Sequence, residues 1–473
     1  MMKTGFNFCR RHPVNYLLPA LFVLLISSCK KDTFITSSDA RIATSVDSLK
    51  YDTVFTNVGS ITRSFKINNL NNQKLLLSKI KLMGGPASAF KLNVNGRPGS
   101  EISDVEIAAE DSIYIFVTAN INPNTANLPF IVQDSIQILF NGNTHFVQLE
   151  AFGQNANFLR NRIIKGNLAW ANNLPYVILG SLLIDKDASL TIAPGCKIYA
   201  HADAPIIVDG TLEAKGTRAE KVVFSGDRLD EDYRDLPAGW PGIYFRETSK
   251  NNVLTHAIIK NAYQALVTEQ PSVNANPKVV LHQCIVQNAF DAGILCVNSS
   301  LAADNCLISN CNKNINIIYG GDYSFTHCTV AAYSDYINHK NPVLTVTNFA
   351  LQNGSTLSTD LNARFRNCIF WGEEGVVEDE ITVAKQGSNN FNVLFNACLY
   401  RSKNDPANSL LTAPVKNEHP RFDSIDVAKG YYDFHISDAL APGINKGVIT
   451  QYLKDLDDKD RNNGLPDLGC YEQ

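Results

Sequence analysis

Apolar and polar positions repeat along this chain with two distinct patterns. From about Thr255 to Val330 one phrase keeps returning: Ala257-Ile258-Ile259-Lys260-Asn261, Cys284-Ile285-Val286-Gln287-Asn288, Cys306-Leu307-Ile308-Ser309-Asn310 and Cys328-Thr329-Val330. The lead positions lie 27 (284−257), 22 (306−284) and 22 (328−306) residues apart. Within each phrase a small residue and an aliphatic one sit two apart, so both face the same side of a strand. In three phrases an Asn follows where a strand would turn. A short strand of fixed pattern at this spacing predicts a solenoid, in which each coil buries its apolar side only against its neighbours. The expected interior files are Ala257/Cys284/Cys306/Cys328 and Ile259/Val286/Ile308/Val330, with a second apolar row at Val267, Ile294, Ile317 and Ile337. Asn261, Asn288 and Asn310 are expected to stack at one turn and bond coil to coil. The phrase returns at Cys368-Ile369-Phe370 and Cys398-Leu399-Tyr400, after gaps of 40 (368−328) and 30 (398−368), which implies long loops near 333–362 and 373–390.

The stretch before this repeat reads the same way. Short runs such as Tyr176–Leu179, Leu190–Ile192, Ile206–Val208 and Val222–Phe224 alternate with Gly and Asp turns. Between about Val46 and Phe152 the pattern is period-two alternation in about eight runs, among them Ser64–Ile67, Phe90–Val94, Ser112–Val117 and Ser135–Phe140. Asn141-Gly142-Asn143 joins two of them as a tight hairpin would. Runs spaced this way predict a β-sandwich. No helical period is sustained outside the N-terminus.

Composition narrows the function classes. A formal net charge of −4 over 473 residues argues against a nucleic-acid partner, which selects for a basic face. The eleven Cys form no C-x-x-C pair and no zinc-ligand spacing. Most are lone Cys in apolar runs and read as buried small hydrophobes. Stacked Cys would lie within disulfide range, and free thiols are the favoured state because parallel-stacked side chains suit the disulfide dihedral poorly.

Residues 1–28 have the form of an export signal: Lys3, Arg10 and Arg11, then an apolar run from Val14 to Ile26 too short to span a bilayer alone. It ends in Leu25-Ile26-Ser27-Ser28-Cys29, which resembles a bacterial lipobox. The resemblance implies cleavage before Cys29, lipidation of its thiol and attachment to a membrane. Ser27-Ser28-Cys29-Lys30-Lys31-Asp32 resembles the start of Bacteroidetes outer-membrane lipoproteins, implying an outer-membrane location facing either the periplasm or the exterior.

Further resemblances follow along the chain. The "Asp-x-Val-Phe" at Asp52–Phe55, with Ser64-Phe65-Lys66-Ile67 and Ala89–Gly96, resembles bacterial immunoglobulin-like domains. Leu190–Cys196, Val208–Thr217 and Gly239-Trp240-Pro241-Gly242-Ile243-Tyr244-Phe245 resemble the right-handed parallel β-helix (pectin-lyase-like) family. Asp455–Arg461 with Pro466-Asp467-Leu468-Gly469-Cys470-Tyr471-Glu472 resembles the ending of the choice-of-anchor Q group, with Cys470 where Ala is usual. The chain is therefore expected to be all-β, with a signal at 1–28, a lipidated tether at 29–45, an immunoglobulin-like sandwich at 46–155, a right-handed parallel β-helix at 160–445 and a C-terminal cap at 446–473 that closes the end of the solenoid.

Chemistry is sparse. Many proteins of the β-helix family cleave acidic polysaccharides, which takes converging carboxylates, or a base beside calcium-bound carboxylates. Neither set is visible. Asp227-Arg228-Leu229-Asp230-Glu231-Asp232-Tyr233-Arg234-Asp235 offers five carboxylates, Asp227, Asp230, Glu231, Asp232 and Asp235, that would suit calcium. Tyr233 and an exposed Trp240 beside it would suit a sugar ring. The Asp455–Asp460 run is a weaker calcium candidate. His256 and His327 share a repeat position, while His282 falls on the opposite face. The reading is a non-catalytic surface for glycans or envelope partners, with a polysaccharide-degrading enzyme as the alternative.

Overall fold

In the computed structural model the described residues are 33–56, 59–124, 129–333, 336–352, 354–373, 375–461 and 464–473. The leader, Cys9 and Cys29 lie outside them. No α-helix occurs among the described residues. The chain divides into two compact units, Met1–Asn122 with Ile131–Gly153, and Pro123–Phe130 with Gln154–Gln473.

The first unit is a sandwich of two five-stranded sheets built from antiparallel pairs. All eight predicted runs are strands. Two short strands, Ile42–Thr44 and Arg97–Pro98, extend one sheet, and neither is long enough for alternation to show in sequence. Ile42–Thr44 lies in the stretch read as a tether and pairs with Arg63–Asn69. Alternation sets the core: Phe65, Ile67, Leu75, Leu77, Ile115 and Val117 are buried. Tyr51 of one sheet packs on Phe90 of the other at 5.9 Å and donates its hydroxyl to Val117 O at 2.6 Å.

The second unit is a parallel β-helix of twenty-six strands, in which each strand pairs with its counterpart on the next coil, two, three or five positions on. Three sheets result. Sheet A carries the repeated phrase (Ala257–Lys260, Ile285–Gln287, Leu307–Ser309, Thr329–Tyr333). Sheet B follows it (Gln264–Glu269, Leu344–Thr347, Ile381–Ala384), and sheet C closes the coil (Asn252–Thr255, Val279–His282, Leu361–Arg366). The sheet-A file runs Phe224/Ile259/Val286/Ile308/Val330/Phe370/Tyr400, and every member is buried. Cys284, Cys306, Cys328, Cys368 and Cys398 line the interior beside it as free thiols. Cys306, Cys328 and Cys368 are pushed far above an ordinary thiol pKa, first by burial.

Three expectations are corrected. The second apolar row is Leu266/Ile294/Ile315/Leu344; Val267 points out, and Ile337 belongs to an insertion, because loop length shifts phase between coils. The long gaps are not single loops, since sheet-B strands Leu344–Thr347 and Ile381–Ala384 divide them. The C-terminal region does not lie over the end of the solenoid. Phe434, Ile436, Leu456, Leu468 and Cys470 pack on the outward side chains Leu307, Ala331, Ile369 and Leu399 of sheet A.

Two corners turn on single left-handed residues. Between sheets C and A these are His256, Gln283, Asn305, His327, Asn367 and Ala397, with φ from 42° to 55°. Between sheets A and B they are Asn261, Asn288 and Asn310, at 61°, 56° and 52°. Asn tolerates this region better than most residues. The C-terminal segment runs along the first corner. Gln283 Nε2 donates to Asp455 O (2.6 Å), Arg461 Nε to Asn305 Oδ1 (3.1 Å) and Asn367 Nδ2 to Val448 O (2.7 Å).

Candidate binding cleft on sheet A

The acidic loop enters from the A–B corner after Val222–Gly226, and its carboxylates do not converge. Asp227 accepts from His201 Nδ1 at 2.7 Å; burial raises its pKa and the imidazole opposes that. Asp230 takes both arms of Arg228 (2.8 and 3.1 Å), whose guanidinium lies 3.9 Å above the Tyr233 ring. Asp235 sits 3.3 Å from Arg234 and 3.7 Å from Lys260. Glu231 and Asp232 are exposed. Among the described residues no group of three or more His, Cys, Asp or Glu could hold a metal ion. In this arrangement the five carboxylates are not gathered into the cluster that the calcium expectation needs, and Asp227, Asp230 and Asp235 each have a basic partner. The Asp455–Asp460 run also diverges. Asp455 accepts the backbone N–H of Asp457 and Lys459, Asp458 meets Gln283 and Asp460 meets Lys454.

Trp240 is corrected as well. It is 1% exposed, inside the core, and its Nε1 donates to Lys260 O at 2.9 Å. The Gly239–Pro241 turn around it made it read as a loop tip. Tyr233 is exposed, as expected of a contact residue, with Arg228 on one face.

A cleft of about 300 Å³ opens on the outward face of sheet A, where segments far apart in sequence converge. Its floor is Gln287, Leu307 and Ser309, with the corner amides Asn288 and Asn310 along one edge. Asp235 arrives from the acidic loop and Tyr336 from the insertion that precedes Leu344–Thr347. The third wall is the hairpin Ser424–Asp426/Tyr431–Asp433, turned at Gly430 (φ 60°), which brings Tyr431 to the rim. Tyr336 and Tyr431 are each 55% exposed.

The Asn ladder does more than link coils. Asn288 Nδ2 donates to Asn261 Oδ1 at 2.9 Å, as the repeat predicts, but also to Asp235 O at 2.7 Å. Asn261 Nδ2 donates to Arg234 O at 2.6 Å. These amides therefore grip the acidic loop by its backbone and set Asp235 at the cleft edge. Asn310 differs: its Oδ1 accepts from Tyr333 N at 3.0 Å. Side-chain amides and hydroxyls beside exposed rings suit hydroxyl-rich, partly apolar ligands.

Tyr336 and Tyr431 were not singled out by sequence. The available signal was that both lie in segments that interrupt or follow the repeat. Register also hid a pair on sheet C: His282 and Asp304 are neighbours on adjacent coils, 22 residues apart (304−282). Their Nδ1···Oδ1 distance is 2.5 Å, and the hydrogen bond donated to the Asp304 carboxylate raises the His282 pKa. Asp304 is the one described hydrogen-bond partner of that ring.

No family model matches the chain, and no curated protein matches it. Among solved structures it is similar to a family 123 glycoside hydrolase from Clostridium perfringens, described for glycolipid glycan hydrolysis, at 8% identity and a TM-score of 0.18 over 24% of this chain. The match spans about a quarter of that enzyme's length, 26%, so the functional reading rests on the cleft itself.

Proposed function

We propose that this chain is a cell-envelope lipoprotein, anchored through Cys29 in the outer membrane, whose β-helix binds glycans without cleaving them. The observation that carries the reading is the sheet-A cleft: Tyr336 and Tyr431, from segments distant in sequence, flank an amide- and hydroxyl-lined floor. Insertions in a solenoid gather on one face and commonly form its binding surface. Asp235 is the one carboxylate among the described lining residues, whereas a glycosidase of the common kind needs two flanking the scissile bond.

The test is a glycan array on the full chain, with product analysis on the polysaccharides that bind. Binding without chain cleavage is the expected result. Tyr431→Ala and Tyr336→Ala should each weaken binding by roughly five- to tenfold, since one stacked ring is worth on the order of 1 kcal/mol. Reproducible cleavage would replace this reading with the enzymatic one. For the anchor, Cys29→Ala should release the protein from the membrane fraction; retention there would contradict lipidation at this residue.

A further inference from the structure

We infer that the sheet-A cleft discriminates by charge, admitting neutral glycans and rejecting polyuronates, and that Asp235 sets this preference. The inference rests on the glycan-binding reading and names its ligand class.

Charge placement is the first observation. Asp235 is the one formally charged side chain among the described lining residues; the others are amides, hydroxyls, aromatic rings, an aliphatic side chain and a glycine. Its carboxylate is 52% exposed and so faces whatever enters. The stretch 227–235 carries five carboxylates against Arg228 and Arg234, a formal charge of −3 (2−5). Its Lys260 partner lies 3.7 Å away and its Arg234 partner 3.3 Å away; neither lines the cleft. A ligand carboxylate in the cleft would therefore meet a like charge at Asp235, with no cation among the described lining residues to receive it.

Rigidity is the second. A like charge on a free loop would swing aside when an anion approached. Here the backbone on both sides of that residue is clamped, Arg234 O by Asn261 and Asp235 O by Asn288. Those Asn are fixed in turn by left-handed corners of the solenoid, at φ 61° and 56°. The scaffold thus holds the carboxylate at the rim. Like-charge placement is a standard route to excluding a competitor while the attractive contacts stay general. Amide edges at Gln287, Asn288 and Asn310 supply both donors and acceptors, matching hydroxyl and acetamido groups.

The experiment compares neutral oligosaccharides with their C6-oxidised uronate counterparts, which keep size and linkage and change only the charge. Affinities are measured on the full chain at low ionic strength. The neutral member of each binding pair should bind about tenfold more tightly, the scale of one like-charge contact near a protein surface. High salt should shrink the ratio. Asp235→Asn should bring it to within about threefold, and Lys260→Ala, which removes a counter-charge, should widen it. Uronates binding as tightly as neutral partners, or a ratio unmoved by Asp235→Asn, would overturn the charge filter while leaving glycan binding in place. If no member of any pair binds, the glycan reading itself fails.

Discussion

His327 shows how one residue is governed by its place in the coil. It occupies the left-handed C–A corner with Asn305 and Asn367, fully buried under the C-terminal segment. Its Nε2 lies 3.0 Å from Asn367 Nδ2 and 3.2 Å from Thr450 Oγ1. Burial, and then the Arg461 charge, push its pKa from 6.5 down to about 2. The unfolded chain therefore binds a proton below about pH 6.5 that the folded chain refuses, so stability falls as pH falls through that window. Between pH 6 and pH 4 the loss is roughly 2 kcal/mol from this group. His327→Asn, the residue used at the equivalent corners, should remove that part of the slope in urea unfolding at the two pH values; an unchanged slope would show that His327 titrates normally. Sequence placed His256 and His327 at one repeat position but could not show the segment that covers them. Trp240 misled for a related reason: its turn was legible, while the direction of its side chain depended on the neighbouring coil.

At the scale of elements, the C-terminal segment acts as a lateral strap. Arg461, 4% exposed, donates to Asn305 on the solenoid, to Gly469 O at 3.0 Å and to Glu472 at 2.8 Å. Asp467 and Asp455 receive backbone N–H groups of the same segment. Asp455, Arg461, Asp467 and Glu472 of the sequence ending are thus the bonds of one knot. Arg461→Ala leaves Glu472 half-buried without its cation and should cost about 3–5 kcal/mol in denaturant unfolding; a loss below 1 kcal/mol would mean that the strap is held by its apolar contacts alone. The Cys file gives a second check. Thiols at the nine described Cys should resist an aqueous thiol reagent in the native protein and react on unfolding, because all nine are buried away from the reagent. Labelling under native conditions would place them outside the core. The sheet-A strands and Asn corners were legible because period two and fixed spacing are local signals. The strap was not, since its partners lie up to 175 residues away, as between Gln283 and Asp458.

Taken as a whole molecule, the β-helix is a regular stack whose outward sheet A is divided between the strap and the cleft. Regularity makes the core readable from sequence, whereas the cleft depends on where three irregular segments end up. The acidic loop was legible as an acidic cluster; that Asp227 meets His201 and Asp235 nears Lys260 appears only once coils are stacked. Millimolar calcium should accordingly leave the melting temperature unchanged, and a clear upward shift would show that its carboxylates regroup around the ion. The central claim is that the cleft between Asp235, Tyr336 and Tyr431 is a glycan-binding site. Its most direct test is the affinity of the full chain and of Tyr431→Ala for glycans selected from an array. The account predicts saturable binding without chain cleavage, weakened roughly five- to tenfold by the substitution; full affinity in the Tyr431→Ala protein, or cleavage of the bound glycan, would contradict it.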